Sequence, residues 1–286
     1  MTAVAVTTAS SPTAGGPAPR APAAGPPGET IRASRVVRGD PWSEHVRVGI
    51  ANVALGALTG GVVRALSDGS FDRGAWQGAL GGGLIFGGKE MSGRKFWGSG
   101  LSGRLLAGAG GALIVALSDD EAIGERWVAP VGPFELHVVD GAVRPRVRLP
   151  MLTVTLLYAA DERRSFDLAR SLSAGTPVFR LDHGDPDWLG LNSSGVITLR
   201  RQRPENPFTE RRVQQHEQVH TVQFDGHALL WGYPLEGALL SLVPGGEAVH
   251  RHVTLGAAPA VMGLTPGLDY RSAYWEWEAE VGSGQR

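Results

Sequence analysis

Residues 210–224 read Glu210-Arg-Arg-Val-Gln-Gln-His216-Glu217-Gln-Val-His220-Thr-Val-Gln223-Phe224, and this stretch decides how the C-terminal half of the chain is read. Neither Gly nor Pro interrupts it. The loop before it supplies Asn206 or Thr209 as an N-cap and Pro207 for a first turn. The pattern predicts a helix from about Glu210 to Phe224. Residues four apart share a helical face, so the imidazoles of His216 and His220 stand one turn apart and can bind one ion.

The residue types narrow the chemistry. The chain has no Cys, so any metal must be held by its 8 His and 28 Asp and Glu residues. Zinc takes imidazole nitrogens and carboxylate oxygens in a tetrahedral shell and, in catalytic sites, leaves one position open. Glu217, beside the first histidine, is placed to accept a proton from water as it attacks a polarised carbonyl, and to pass it to the leaving amine. Gln223, three residues past His220 on the same side, is a candidate to support a ligand or to touch substrate. The plain alternative is a solvated amphipathic helix with two surface histidines. A third ligand separates the two readings. Downstream stands Tyr274-Trp-Glu276-Trp-Glu278-Ala279-Glu280, read as a helix begun near Asp269. Glu276 is the favoured third ligand and Glu278 the alternative. Ala279 is small enough to let this helix approach the first.

His216-Glu217-Gln-Val-His220 with Gln223, followed by Glu276-Trp-Glu-Ala279-Glu280, resembles the gluzincin pattern HExxHxxQ…ExxA[D/E]. The pattern is similar to that of small bacterial zincins and, more loosely, of membrane-associated peptidases of the HtpX type. The resemblance covers roughly residues 195–286. It implies zinc held by His216, His220 and Glu276, with Glu217 as general base and a peptide or protein as substrate. It also implies that the strand Val196–Leu199 is an edge strand able to pair with an extended peptide. Glu278 is the departure that leaves the third ligand open.

Working outward, residues 127–200 change period. Phe134, Leu136 and Val138 alternate with polar neighbours. Val147, Leu149 and Met151 alternate with Arg146 and Arg148, a run expected to continue as strand to Tyr158. Pro177–Phe179 and Val196–Leu199 are shorter strand candidates. Asp140-Gly141 and Asn192-Ser-Ser-Gly195 signal hairpins. Strands followed by site-bearing helices predict an α+β fold with a zincin-like C-terminal domain. Residues His227 to Val243 are apolar but broken by Pro234 and Glu236, which favours core helices over a membrane hairpin. His250, His252, Tyr270 and Tyr274 are candidates to stabilise an oxyanion.

The N-terminal half differs. Residues 1–40 are rich in Ala, Pro, Thr and Gly and are expected to be a disordered tail, without the basic start and apolar run of a secretory signal. Residues 41–125 hold three uncharged Gly-rich stretches, Val48–Val63, Gly74–Gly88 and Leu105–Ser118. Glycines recur every four residues at Gly56 and Gly60, and at Gly74, Gly78 and Gly82. Such a stripe lets helix backbones approach closely. Each glycine costs about 1 kcal/mol against Ala in a helix interior, so close packing must compensate. Each run is shorter than the ~20 residues a spanning helix wants. The pattern therefore suits a buried hairpin or a membrane-associated unit.

The formal net charge of −1 gives no reason to expect nucleic acid as a partner. Three parts are expected: the tail 1–40, the helical segment 41–125 and the zincin-like domain 126–286. Two function classes stand. One is a Zn2+-dependent peptidase at a membrane or cell envelope. The other is a non-catalytic membrane-associated or scaffold protein with a degenerate zincin domain.

Overall fold

The computed structural model describes residues 41–67, 69–182, 189–200, 210–256 and 274–284. The expected tail at 1–40 lies outside these residues, as do Asn206, Pro207, Thr209, Asp269 and Tyr270. All described residues belong to one compact unit, Arg38–Arg286. The architecture is mixed α and β.

Three helices come first: α1 Pro41–Leu66, α2 Phe71–Ser92 and α3 Ser99–Ser118. They pack as consecutive antiparallel hairpins through the glycine stripes. A methyl group added to Gly78 would fall on the carbonyl oxygen of Gly56, and one added to Gly81 would come within 2.7 Å of the Gly110 oxygen. Only hydrogen-sized side chains allow backbones to meet this closely, which explains why good helix formers are absent from these positions. By length and composition, residues 42–66 and α3 could each cross a membrane, but two-thirds of α3 is buried inside the protein. On α1 the opposite is true. Trp42, Val46, Ile50, Leu58, Val62 and Leu66 are exposed, most of them spaced by four along the ridge away from the glycines.

The first sheet has the order β1-β2-β3-β8, formed by β1 Arg126–Val131, β2 Phe134–Val139, β3 Ala142–Arg148 and β8 Val253–Thr254. Asp140 and Gly141 connect β2 to β3 with φ of 52° and 74°, the two positive angles of a tight hairpin turn. The second sheet has the order β4-β5-β7-β6, from β4 Arg164–Phe166, β5 Val178–Leu181, β6 Gly190–Ser193 and β7 Val196–Arg200. Its β6–β7 turn again uses two positive φ angles, at Ser194 and Gly195.

Two strand expectations need correction. The run after Arg148 is a helix, α4 Leu149–Ala159, and not a continued strand. Pro150 lacks an N–H for a ladder but suits the first turn of a helix, and it overrides the β-branched residues that follow. The strand at Val196–Leu199 is real but interior. It lies between β5 and β6, so among the described residues the edge strands of this sheet are β4 and β6. Sheet order depends on pairings distant in sequence, which periodicity does not reveal.

Next come α5 Leu168–Ala174 and α6 Glu210–His227. A π-turn, Ala228–Gly232, carries α6 into α7 Tyr233–Leu240. The wider turn just before Pro234 absorbs the missing amide and ring bulk of that residue without ending the helix. Glu236, an interruption in the sequence, is buried and accepts hydrogen bonds from the backbone N–H groups of Leu255 (3.0 Å) and Gly256 (2.7 Å). Two further helices among the described residues are α8 Gly246–His252 and α9 Tyr274–Gly282.

Helix α6 is the hub. Its Val222 joins Ile85, Ala107, Ile114 and Leu230 in a core shared with α2 and α3. Its Val213 joins Ala174, Val178, Ile197 and Leu199 in a core shared with α5 and the second sheet. Asp225 adds a polar anchor. Arg104 Nε donates to it at 2.6 Å and Arg148 also pairs with it, with all three side chains buried. Burying two guanidiniums against one carboxylate is tolerated because each charge has a partner.

Candidate metal centre

Helix α6 presents His216 and His220 on one face, and α9 lays Glu276 across them. His216 Nε2 and His220 Nε2 are 3.1 Å apart. Glu276 Oε2 lies 3.3 Å from His216 Nε2, and Glu276 Oε1 lies 3.1 Å from His220 Nε2. Each histidine faces a different oxygen of Glu276, and one ligand atom from each of the three residues lies within 4.8 Å of the others; around a tetrahedral ion with bonds of about 2.0–2.1 Å, donors sit about 3.3 Å apart. The donors are two imidazole nitrogens and one carboxylate oxygen, a set suited to a transition-metal ion such as zinc. This trio could hold a metal ion. His216 Nδ1 is buried with no hydrogen-bond partner among the described residues.

Glu217 follows His216 on the helix but does not join this triangle. It is buried, and its carboxylate lies against the start of β6, where a Cβ on Gly190 would come within 2.7 Å of Glu217 Oε1. Gly190 thus makes room for the carboxylate. Burial raises the Glu217 pKa; the charges of His220 and His216 oppose this and that of Glu276 adds to it. Strand β6 is clipped to α6 by Asn192, whose Nδ2 donates to Glu217 O and to Thr221 Oγ1, both at 2.8 Å. Among the described residues β6 has no strand on its outer side.

Glu278, weighed in the sequence as an alternative ligand, is not in the triangle. A step of two residues on a helix turns a side chain by about 200°, so it leaves the histidines. It meets Lys89 Nζ at 2.8 Å, Asn52 Nδ2 at 2.6 Å and Gln223 Nε2 at 2.8 Å. Burial would raise the Glu278 pKa, but Lys89, Asn52 and Gln223 outweigh it and hold the carboxyl below its ordinary value. Gln223 stands beside His220, with its Oε1 2.7 Å from Nδ1. Burial opposes protonation of His220, but the hydrogen bond to Glu276 and the Glu217 charge push its pKa up. Ala279 is fully buried, as expected for the residue that lets α9 approach.

The oxyanion candidates fare differently. His250 and His252 line a separate cavity of about 690 Å³ with Arg126, Arg146 and Tyr233, away from the triangle. There the His250 ring lies 4.5 Å from that of Tyr233. Tyr270 lies outside the described residues, as does the side chain of Tyr274. Lys89 and Asn52 were missed, although a signal existed. Asn52 is the lone amide in the uncharged run of α1, and Lys89 ends the apolar run of α2. Compared with protein-family models, curated proteins and solved structures, the chain finds no match.

Proposed function

We propose that this protein is a zinc-dependent peptidase of the gluzincin type, with a zincin-like arrangement of sheet, α6 and α9. The observation that carries this reading is the convergence of His216, His220 and Glu276, from two helices, with one ligand atom from each within 4.8 Å of the others, beside a buried carboxylate that is not one of the three. A structural zinc site has four protein ligands, whereas three with an open position is the catalytic form.

In this account His216, His220 and Glu276 hold Zn2+. When bound, the ion supplies Lewis acidity toward a peptide carbonyl and toward water. Glu217 accepts the proton of the attacking water and delivers it to the leaving amine. A pKa raised by burial suits both halves of that task. An extended peptide would add to the outer edge of β6, its backbone pairing with the strand and its scissile bond lying over α6. The exposed apolar ridge of α1 supports a membrane surface as the working location, with the ridge against lipid.

Metal analysis of the purified protein tests this. One zinc per chain is expected for the wild type and none for His216→Ala. Equal metal content in the two would defeat the assignment.

A further inference from the structure

The two ring nitrogens of His220 have different neighbours. Nε2 faces His216 and Glu276, while Nδ1 faces Gln223. Behind Gln223 runs a chain of buried polar groups that ends on α1 and α2. We propose that Lys89 is a positioning residue for the metal centre: through Glu278 and Gln223 it sets the direction of this hydrogen-bond chain, and so places the His220 proton on Nδ1 and leaves Nε2 to bind a metal. The proposal rests on the metal-binding reading above.

The direction follows from what each group can do. An ammonium only donates. Lys89 Nζ donates to Glu278 Oε1 at 2.8 Å and to Asn52 Oδ1 at 2.7 Å. Asn52 Nδ2 donates to the Val48 carbonyl at 2.9 Å and to Glu278 Oε1 at 2.6 Å. A backbone carbonyl only accepts, so Asn52 is fixed at both ends and cannot turn over. The Glu278 carboxylate accepts on both oxygens. Gln223 must therefore offer it an N–H, and its Nε2 donates to Glu278 Oε2 at 2.8 Å. That turns the Gln223 carbonyl toward His220 Nδ1 at 2.7 Å. An acceptor at that position demands an N–H on Nδ1, and the neutral ring then carries its lone pair on Nε2. Asn52, Lys89, Gln223 and Glu278 are each at most 6% exposed, so water is poorly placed to repair a reversed link.

A plain buried salt bridge between α2 and α9 would hold the helices together without caring where the His220 proton sits. That is the readout that separates the two roles. Glu278→Gln changes one atom and little volume. Lys89 and Asn52 would claim the single oxygen of the new amide, leaving its NH2 to face Gln223. Gln223 would then turn over, present NH2 to Nδ1, and move the His220 proton to Nε2.

The experiment uses the full chain in its metal-free form. Nitrogen NMR of the imidazoles is recorded at alkaline pH, where the rings are neutral, on a Glu276→Ala background that removes the carboxylate acceptor 3.1 Å from His220 Nε2, and affinity for Zn2+ alone is measured with Glu276 in place by chelator competition. With residues 89 and 278 unchanged, that background should show the Nδ1–H tautomer at His220. Glu278→Gln should show Nε2–H and bind zinc about 10–100-fold more weakly, the usual effect of losing a group that orients a ligand. Lys89→Met should give mixed tautomers, and Lys89→Arg, still a donor-only cation, should restore Nδ1–H. If Glu278→Gln and Lys89→Met both retain Nδ1–H and wild-type affinity, the proposal is overturned. If the tautomers shift as expected but wild type takes up no zinc, the zinc reading falls and the control of the proton by Lys89 stands.

Discussion

Glu276 and Glu278 stand two residues apart on α9 and serve different partners: Glu276 reaches His220 Nε2 at 3.1 Å, whereas Glu278 reaches Lys89 Nζ at 2.8 Å. Under the proposed function, the helix turn between them divides ligand from support. Replacing each by Ala should reveal the division. Glu276→Ala should weaken Zn2+ binding by orders of magnitude, because a donor atom is lost. Glu278→Ala should weaken it about 10–100-fold, because only orientation is lost. Calorimetric titration of both variants checks the order, and a larger loss from Glu278→Ala would reverse the assignment.

The glycine stripe makes opposite predictions for neighbouring positions. A Cβ at Gly78 would strike the Gly56 backbone, so Gly78→Ala should destabilise the fold by about 1–3 kcal/mol. At Gly83 the nearest atom to an added Cβ is Val53 Cγ2 at 3.8 Å, an ordinary contact. Gly83→Ala should therefore stabilise by up to about 1 kcal/mol through helix propensity alone. Thermal melts of the two variants, measured side by side, decide whether packing or composition governs these helices.

Stability should fall on acidification in two stages. Burial, reinforced by the Lys89 charge, lowers the pKa of His227 to about 4. The unfolded chain then binds a proton more readily than the folded one, and stability declines as pH drops from about 6.5 toward 4. Burial works against ionised Glu135, but His137, Arg148 and Arg146 prevail and lower its pKa from 4.5 to about 2. Its contribution is present above pH 4.5 and disappears as pH falls through 2. In denaturant titrations across this range, Glu135→Gln should flatten the second stage and leave the first intact. An unchanged slope between pH 4.5 and 2 would contradict the role given to Glu135.

If α1 lies on lipid, its outer ridge provides the contact. Ile50 is 64% exposed and Leu58 53% exposed. Glu at both positions should lower co-sedimentation with phospholipid vesicles about tenfold or more without lowering the melting temperature. Wild type that stays in the supernatant would remove the membrane from the account.

How much of this was legible depended on the range of the interaction. Helix α6 was readable because its signals are local: an unbroken run, an i, i+4 histidine pair and a following Gln. The hairpin turns at Asp140-Gly141 and Ser194-Gly195 were readable for the same reason, since small or polar residues there accept positive φ. The failures were of two kinds, one local and the others non-local. Leu149–Ala159 has the β-branched content of a strand, and only Pro150 in the first turn betrays the helix. The place of β6 at the sheet edge depends on β5 pairing with β7 across a long connection. Lys89 and Asn52 look like isolated polar residues in Gly-rich helices, and their meaning appears only when α9 brings Glu278 between them.

The central claim is that Glu217 moves protons while His216, His220 and Glu276 hold the ion. The most direct measurement is zinc content and peptide hydrolysis for wild type and Glu217→Gln in the same preparation. The account predicts one zinc per chain in both, with hydrolysis in the variant reduced about 10²–10⁴-fold, the usual contribution of a general base. A variant that loses its zinc, or that cleaves peptide as fast as wild type, would contradict it.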